Sequence, residues 1–228
     1  MTTTEIDEPR SGTSRQRGGD AVTQKRDDTA RFARLVGGAA LSFSVLYFVS
    51  DLIEFAQGGF STPQLALTYA AEAAIPIFIL GLFAMQRPRI GALGLVGAVT
   101  YAYTFVFFTS TVVYALVNHT RDWTVLTTQL GGWVAVHSVL MVFAGVMFGV
   151  AVIQANVLPR WTGIALIVGM VLMAVTASLP EPTQIMSAAV RDLALAGMGA
   201  ALLQRTTGSD SAHEEHRSSA WSRTGASR

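Results

Sequence analysis

The chain has no cysteine, and that absence removes a disulfide, a thiolate metal site, a lipoprotein anchor and a thiol nucleophile together. Charge is scarce as well. Only 14% of the 228 residues are Asp, Glu, Lys or Arg and 51% are hydrophobic, whereas an ordinary soluble domain carries about 25% charged residues. Lysine occurs once, at Lys25, and the arginine bias suggests a GC-rich coding genome. The net charge of +1 says little about partners, because both tails are crowded with charge while Leu35 to Leu203 is nearly free of it. Phosphate loop, dinucleotide fingerprint, nucleophile elbow and nucleic-acid module are all missing, so neither a cofactor nor a nucleic-acid partner is expected.

What is present reads as an all-α, polytopic membrane helix bundle. Residues 1–31 and 204–228 lack apolar periodicity and are expected to be disordered tails, the first of them basic, flanking a transmembrane domain over 32–203. A helix needs about 20 apolar residues to cross a bilayer, and six stretches qualify. They lie near 33–54, 64–85, 90–117, 130–153, 162–179 and 184–203. Turn chemistry separates them: Gly58-Gly59 with Pro63, Arg87-Pro88-Arg89, Asn118 to Asp122, Asn156 to Arg160, and Pro180-Glu181-Pro182. Seven Lys and Arg lie in the N-terminal tail and at the start of the first span, up to Arg34, two lie in the second loop, one in the fourth and four after the last span, against Arg121 alone on the other side. The positive-inside rule then puts both termini in the cytoplasm of a cell (plasma) membrane protein.

Small residues recur where helices would meet: Gly91, Gly94 and Gly97 in the third span, Gly145 and Gly149 in the fourth, Gly197 and Gly199 in the sixth. Packing within the chain explains them, and a homodimer through these small-residue faces is the alternative. The basic tails are suited to anionic membrane lipid.

Ionisable groups inside membrane spans are costly and mark a functional site by default. On the first span Ser44, Tyr47, Asp51 and Glu54 recur at spacings of three and four and share one face. On the second, Tyr69, Glu72 and Pro76 do the same, and Pro76 cannot donate to the carbonyl of Glu72. Gln129, Trp133 and His137 form a line on the fourth, the third offers Phe108, Ser110 and Tyr114, and the sixth carries Arg191 and Asp192. With neighbours antiparallel, Glu72, His137, Arg191 and Asp192 fall about 10–13 Å below the outer surface. The expectation is a one-sided, extracytoplasmic, acidic pocket lined by aromatic rings. Glu72, Asp192 and His137 are its acid and base candidates, and Asp51, Tyr47, Tyr69, Arg191, Trp133, Phe108 and Tyr114 its ligand-binding candidates.

Four acids face one arginine there, so some must be protonated, in contact with water or paired with a cation. Plainer roles exist for each residue: Glu54 in interfacial water, Arg191 in a salt bridge between helices, His137 in packing. A metal held by His137, Asp51 and Glu72 suits the donor chemistry, but no element carries ligand spacing and no metal is assigned. His213-Glu214-Glu215-His216 lacks zinc-protease spacing and reads as a charge cluster.

Three functions follow. The first is binding of a lipophilic, isoprenoid-like small molecule from the outer leaflet, or its acid-catalysed conversion by Glu72 and Asp192 beside cation-stabilising rings. In size, helical class and the placing of acids on an early and a late helix, the chain resembles the small membrane-embedded terpene cyclases. It departs from them at Ile75 and Leu195, where an aromatic residue three positions after each acid is expected. The second is a non-catalytic membrane subunit, sensor or assembly factor whose polar cluster orients helices. The third, a proton- or cation-coupled transporter, needs a polar route through both halves, and the cytoplasmic half offers none. Whether any bond changes is left open by the residues.

Overall fold

A computed structural model of the chain describes residues 13–179 and 181–225, with side chains from 24 to 208 apart from 26, 180 and 181. The described residues form seven helices: α1 (Thr13–Gln57), α2 (Thr62–Met85), α3 (Gly91–Val117), α4 (Trp123–Leu130), α5 (Gly132–Ala155), α6 (Arg160–Thr176) and α7 (Glu181–Gly225). The all-α membrane bundle read from composition is therefore the fold. The chain divides into two compact units, Met1–Phe32 and Ala33–Arg228. The first contains the polar start of α1.

Five stretches are long and apolar enough to cross a membrane: Asp27–Gln57, Thr62–Met85, Gly91–Val117, Gly132–Ala155 and Pro182–Gly208. The sixth apolar helix, α6, has 17 residues, the short end of what a bilayer asks for. Two features differ from the sequence reading. Residues 13–31 and 204–225 continue α1 and α7 as helix, because no proline interrupts either segment and both contain helix-favouring Ala, Gln and Arg; residues 1–12 and 226–228 lie outside the described residues, as do the side chains of His213 to His216. The loop from Asn118 also holds the extra helix α4. Asp122 caps it by accepting from the Val125 N–H at 2.9 Å, and Gly131, at φ 58°, turns the chain into α5.

The helices pack in chain order. Contacts join α2 to α3, α3 to α5, α5 to α6 and α6 to α7. Val36 of α1 sits against Gly81 of α2, and Gly37 of α1 faces Gly199 of α7, so the ring closes on its first member. Its interior holds Ile75, Phe78, Tyr101, Phe105, Phe148, Leu166, Met170 and Leu195, all essentially fully buried. Its outer surface is as apolar as its inside, with Ile77, Trp133, Phe143, Val175 and Leu193 turned outward. That inversion of the soluble pattern suits a lipid solvent.

Lipid supplies no hydrophobic drive between helices, so close packing has to hold them. Glycines make it possible. A Cβ on Gly199 would lie 2.6 Å from the Gly37 carbonyl oxygen, and one on Gly163 would lie 2.7 Å from that of Gly149. The face read as a candidate dimer surface is thus taken up inside the chain: Gly145 abuts Met170, Gly149 abuts Ile167 and Gly163, Gly97 the Phe148 backbone, and Gly197 the Trp161 ring. Gly91 is the exception, with no atom within 4 Å of an added Cβ.

Gly199→Val should lower the stability of the detergent-solubilised protein by roughly 1–3 kcal/mol, the usual cost of forcing extra atoms into a packed seam. Gly38→Ala, where no atom lies within 4 Å of the new Cβ, should leave the same thermal-unfolding midpoint nearly unchanged.

Candidate functional site: a polar centre inside the bundle

The seam between α1 and α2 is polar. Gln64, Thr68 and Glu72 recur every four residues along α2, a row that stays on one face, and this row meets Ser50 and Tyr47 of α1. The Ser50 and Thr68 hydroxyls are 2.6 Å apart. Gln64 Nε2 donates to Thr68 Oγ1 at 3.0 Å and to Glu54 Oε2 at 3.2 Å. One turn further in, Tyr47 donates its hydroxyl to Glu72 Oε1 at 2.7 Å. The sequence reading named Tyr47 and Glu72 but not Ser50, Gln64 or Thr68. The spacing of four from Gln64 through Thr68 to Glu72 was the available signal.

Across the ring, Arg191 and Asp192 of α7 are 2% and 3% exposed. Arg191 Nε donates to Asp192 Oδ1 at 2.9 Å, and Nη2 lies 2.9 Å from the same oxygen. A guanidinium that grips a carboxylate bidentately uses both oxygens. Here both nitrogens fall on one, and Oδ2 has no partner among the described residues. The guanidinium carbon stands 4.7 Å from the centre of the Tyr47 ring and 5.9 Å from that of Phe105, distances at which a cation is attracted to an aromatic face. Nη1 reaches Met173 Sδ of α6 at 3.7 Å. Gly169 lets α6 come this near, since a Cβ there would lie 2.6 Å from the Arg191 amide nitrogen. Tyr101 completes the floor, edge-on to Phe105 at 5.1 Å and donating to Met170 Sδ at 3.5 Å.

Asp51, half-buried, is within electrostatic reach of Asp192, Arg191, Glu54 and Glu72. Five of the sequence-named residues therefore meet: Tyr47, Asp51, Glu72, Arg191 and Asp192. They come from α1, α2 and α7, while α3 and α6 contribute Tyr101, Phe105, Met170 and Met173, which the sequence reading did not name.

Glu72 is ten residues from the start of α2, Arg191 ten from the start of α7, and Tyr47 ten from the end of α1, about 15 Å along each helix. For Glu72 and Arg191 this is slightly further along the helix than the sequence spans imply. The cause is proline. Pro63 and Pro182, read as loop punctuation, sit in the first turns of α2 and α7, where a missing N–H costs nothing, so both helices begin earlier.

The remaining candidates lie elsewhere. His137 sits only five residues into α5 and is stacked on Phe107 at 3.6 Å between ring centres. Its Nδ1 is 2.8 Å from the Trp133 carbonyl oxygen and its Nε2 3.2 Å from the Tyr103 hydroxyl. The carbonyl can only accept, so Nδ1 carries the proton and Nε2 accepts from Tyr103. Both ring nitrogens are therefore engaged, one within α5 and one by Tyr103 of α3. Trp133, 69% exposed, and Tyr69, 44% exposed, face outward. Phe108 is buried against Phe107, and Tyr114 packs in a separate apolar cluster with Leu65, Val112, Ala115 and Leu126.

Within the polar centre, Glu72 Oε2, Asp192 Oδ2 and Ser44 Oγ are buried with no hydrogen-bond partner among the described residues. Buried polar atoms without partners are rare in folded proteins and call for an explanation. No family model, curated protein or solved structure matches the chain.

Removing one member of the buried pair strands the other. Arg191→Met should destabilise the protein by roughly 3–5 kcal/mol, measured by unfolding in mixed detergent micelles. The double variant Arg191→Met, Asp192→Leu should recover most of that loss. Equal stability of wild type and single variant would contradict the pairing.

Proposed function

We propose that the chain is a plasma-membrane protein of six spans, with both termini cytoplasmic, whose polar centre binds a lipophilic, isoprenoid-like small molecule. Glu72 is the group that gives or takes a proton there. One observation carries this reading: the Glu72 carboxyl sits at mid-depth, with Tyr47 holding one oxygen at 2.7 Å and the other oxygen buried without a partner. A carboxyl half-held and half-open is preorganised to act on something placed beside it.

In the catalytic form of the proposal, Glu72 protonates a carbon–carbon double bond and a neighbouring carboxylate takes a proton from the resulting carbocation, so one proton has moved between the two acids and its return to Glu72 closes the turnover. Asp192 is the partner for that return step through Oδ2, because Arg191 already occupies Oδ1. The charge and ring contacts around Arg191 support a second reading. A guanidinium touching groups of α1, α3 and α6 is also what a helix-orienting device requires, as in a non-catalytic subunit, sensor or assembly factor.

Gentle extraction followed by mass spectrometry of co-purifying small molecules separates the readings. Wild type should carry a lipophilic species that Glu72→Gln loses, with both proteins folded to the same extent. Identical profiles would count against Glu72 as a binding group. Orientation has its own test, made simple by the absence of native cysteine. Arg121→Cys, at an exposed loop position, should react with an impermeant maleimide on intact cells. Arg89→Cys, also exposed, should react only after permeabilisation.

A further inference from the structure

We infer that the ligand of the polar centre carries a positively charged head, a long-chain ammonium, and that Glu72 and Asp192 receive it. The inference deepens the lipophile-binding reading above and rests on it. It stands on which atoms are left over once every contact inside the bundle has been made.

In the polar centre the buried atoms without hydrogen-bond partners are acceptors except for one donor, Arg191 Nη2, which lies 2.9 Å from Asp192 Oδ1 as an ion-pair contact. Glu72 and Asp192 are 4% and 3% exposed, yet Oε2 of the one and Oδ2 of the other receive no hydrogen bond from the described residues. Ser44 Oγ, on the α1 face that bears Tyr47 and Asp51, is a third, and a hydroxyl can accept as well as donate. Three acceptors in one low-dielectric region ask for a group with several donors. An ammonium has three N–H bonds and no acceptor.

The cation native to the centre does not meet this demand. Arg191 donates Nε to Asp192 Oδ1, holds Nη2 in ion-pair range of the same oxygen and turns its faces toward Tyr47 and Phe105. One guanidinium stands against the carboxyls of Asp51, Glu72 and Asp192, which all lie in its neighbourhood, so the centre is short of positive charge by the count of its own side chains. A metal ion is a poorer answer than an organic cation. Among the described residues no three His, Asp or Glu side chains are placed to hold one. The bundle core is built of side chains such as Ile75, Phe105, Leu195 and Met170, which suit an alkyl chain behind the head.

The test uses the full chain in phosphatidylcholine nanodiscs, which carry no net lipid charge to recruit a cation. Three diazirine probes of equal chain length are compared: an alkylamine, an alkanol and an alkanoate. Photoadducts are mapped by mass spectrometry. The amine should label the inward faces of α1, α2 and α7 saturably, with the other two at least about tenfold weaker, and Glu72→Gln should weaken amine labelling by about tenfold, as expected when one partner of a buried charge pair is lost. Equal labelling by the alkanol would overturn the charged-head inference while leaving the lipophile reading standing. Stronger labelling by the alkanoate would overturn it in favour of recognition by Arg191. Failure of all three to label the centre would sink both. Should Glu72→Gln fail to fold, the comparison of head groups on the wild-type protein still decides.

Discussion

A guanidinium at the middle of an apolar bundle cannot be left to itself, because taking a charge out of water costs several kcal/mol even after relaxation. Arg191 is the group on which the rest of the bundle depends. Its compensation arrives from every side: a carboxylate from its own helix, ring faces from α1 and α3, and a thioether from α6. Each of these contacts has a distance requirement, so each fixes the helix that supplies it. The glycine at 169 follows from the same requirement, since only a residue without Cβ lets α6 lie against the Arg191 backbone.

The seams divide the work of association between two chemistries. Where α1 meets α7 and α5 meets α6, backbones touch through Gly37 and Gly199, and through Gly149 and Gly163. There van der Waals contact holds the helices and no polar atom is needed. Where α1 meets α2, hydroxyl and amide groups of Ser50, Gln64 and Thr68 bind one another. This polar seam runs inward along α2 to Glu72, and it is what aims that carboxyl into the ring rather than toward lipid. The centre therefore has rigid walls on its glycine sides and a hydrogen-bonded wall on its acidic side.

Compensation around Arg191 leaves one guanidinium nitrogen, Nη2, and two carboxyl oxygens, Glu72 Oε2 and Asp192 Oδ2, without a hydrogen bond among the described residues. Two nitrogens on one carboxylate oxygen leave the second oxygen of Asp192 without a donor, and Tyr47 serves only one oxygen of Glu72. An apolar bundle that needed only to fold would do better with a hydrophobic residue at position 72, since a half-satisfied polar network is worse than none. The retained carboxyl is the physical basis for reading the centre as a site.

Composition and period alone determined the membrane class, four of the apolar helices to within a few residues, and the stripe of Tyr47 and Asp51, because a lipid solvent forces backbone polar groups into helices and a helix repeats every 3.6 residues. They also pointed to Glu72, Arg191 and Asp192, since any charge in such a segment stands out against its neighbours. Tertiary structure alone decided which face of each helix turns inward. Thr68 and Tyr69 both lie one turn from Glu72, but about 100° apart around the axis, and only the packing of α2 on α1 turns Thr68 in and Tyr69 out. The same holds for His137, whose lines of spacing resemble those of Tyr47 but whose partners, Tyr103 and Phe107, come from another helix. Tyr101, Phe105 and Met173 carry no charge and no motif, so nothing in the order of residues sets them apart until the ring closes and brings them to the guanidinium.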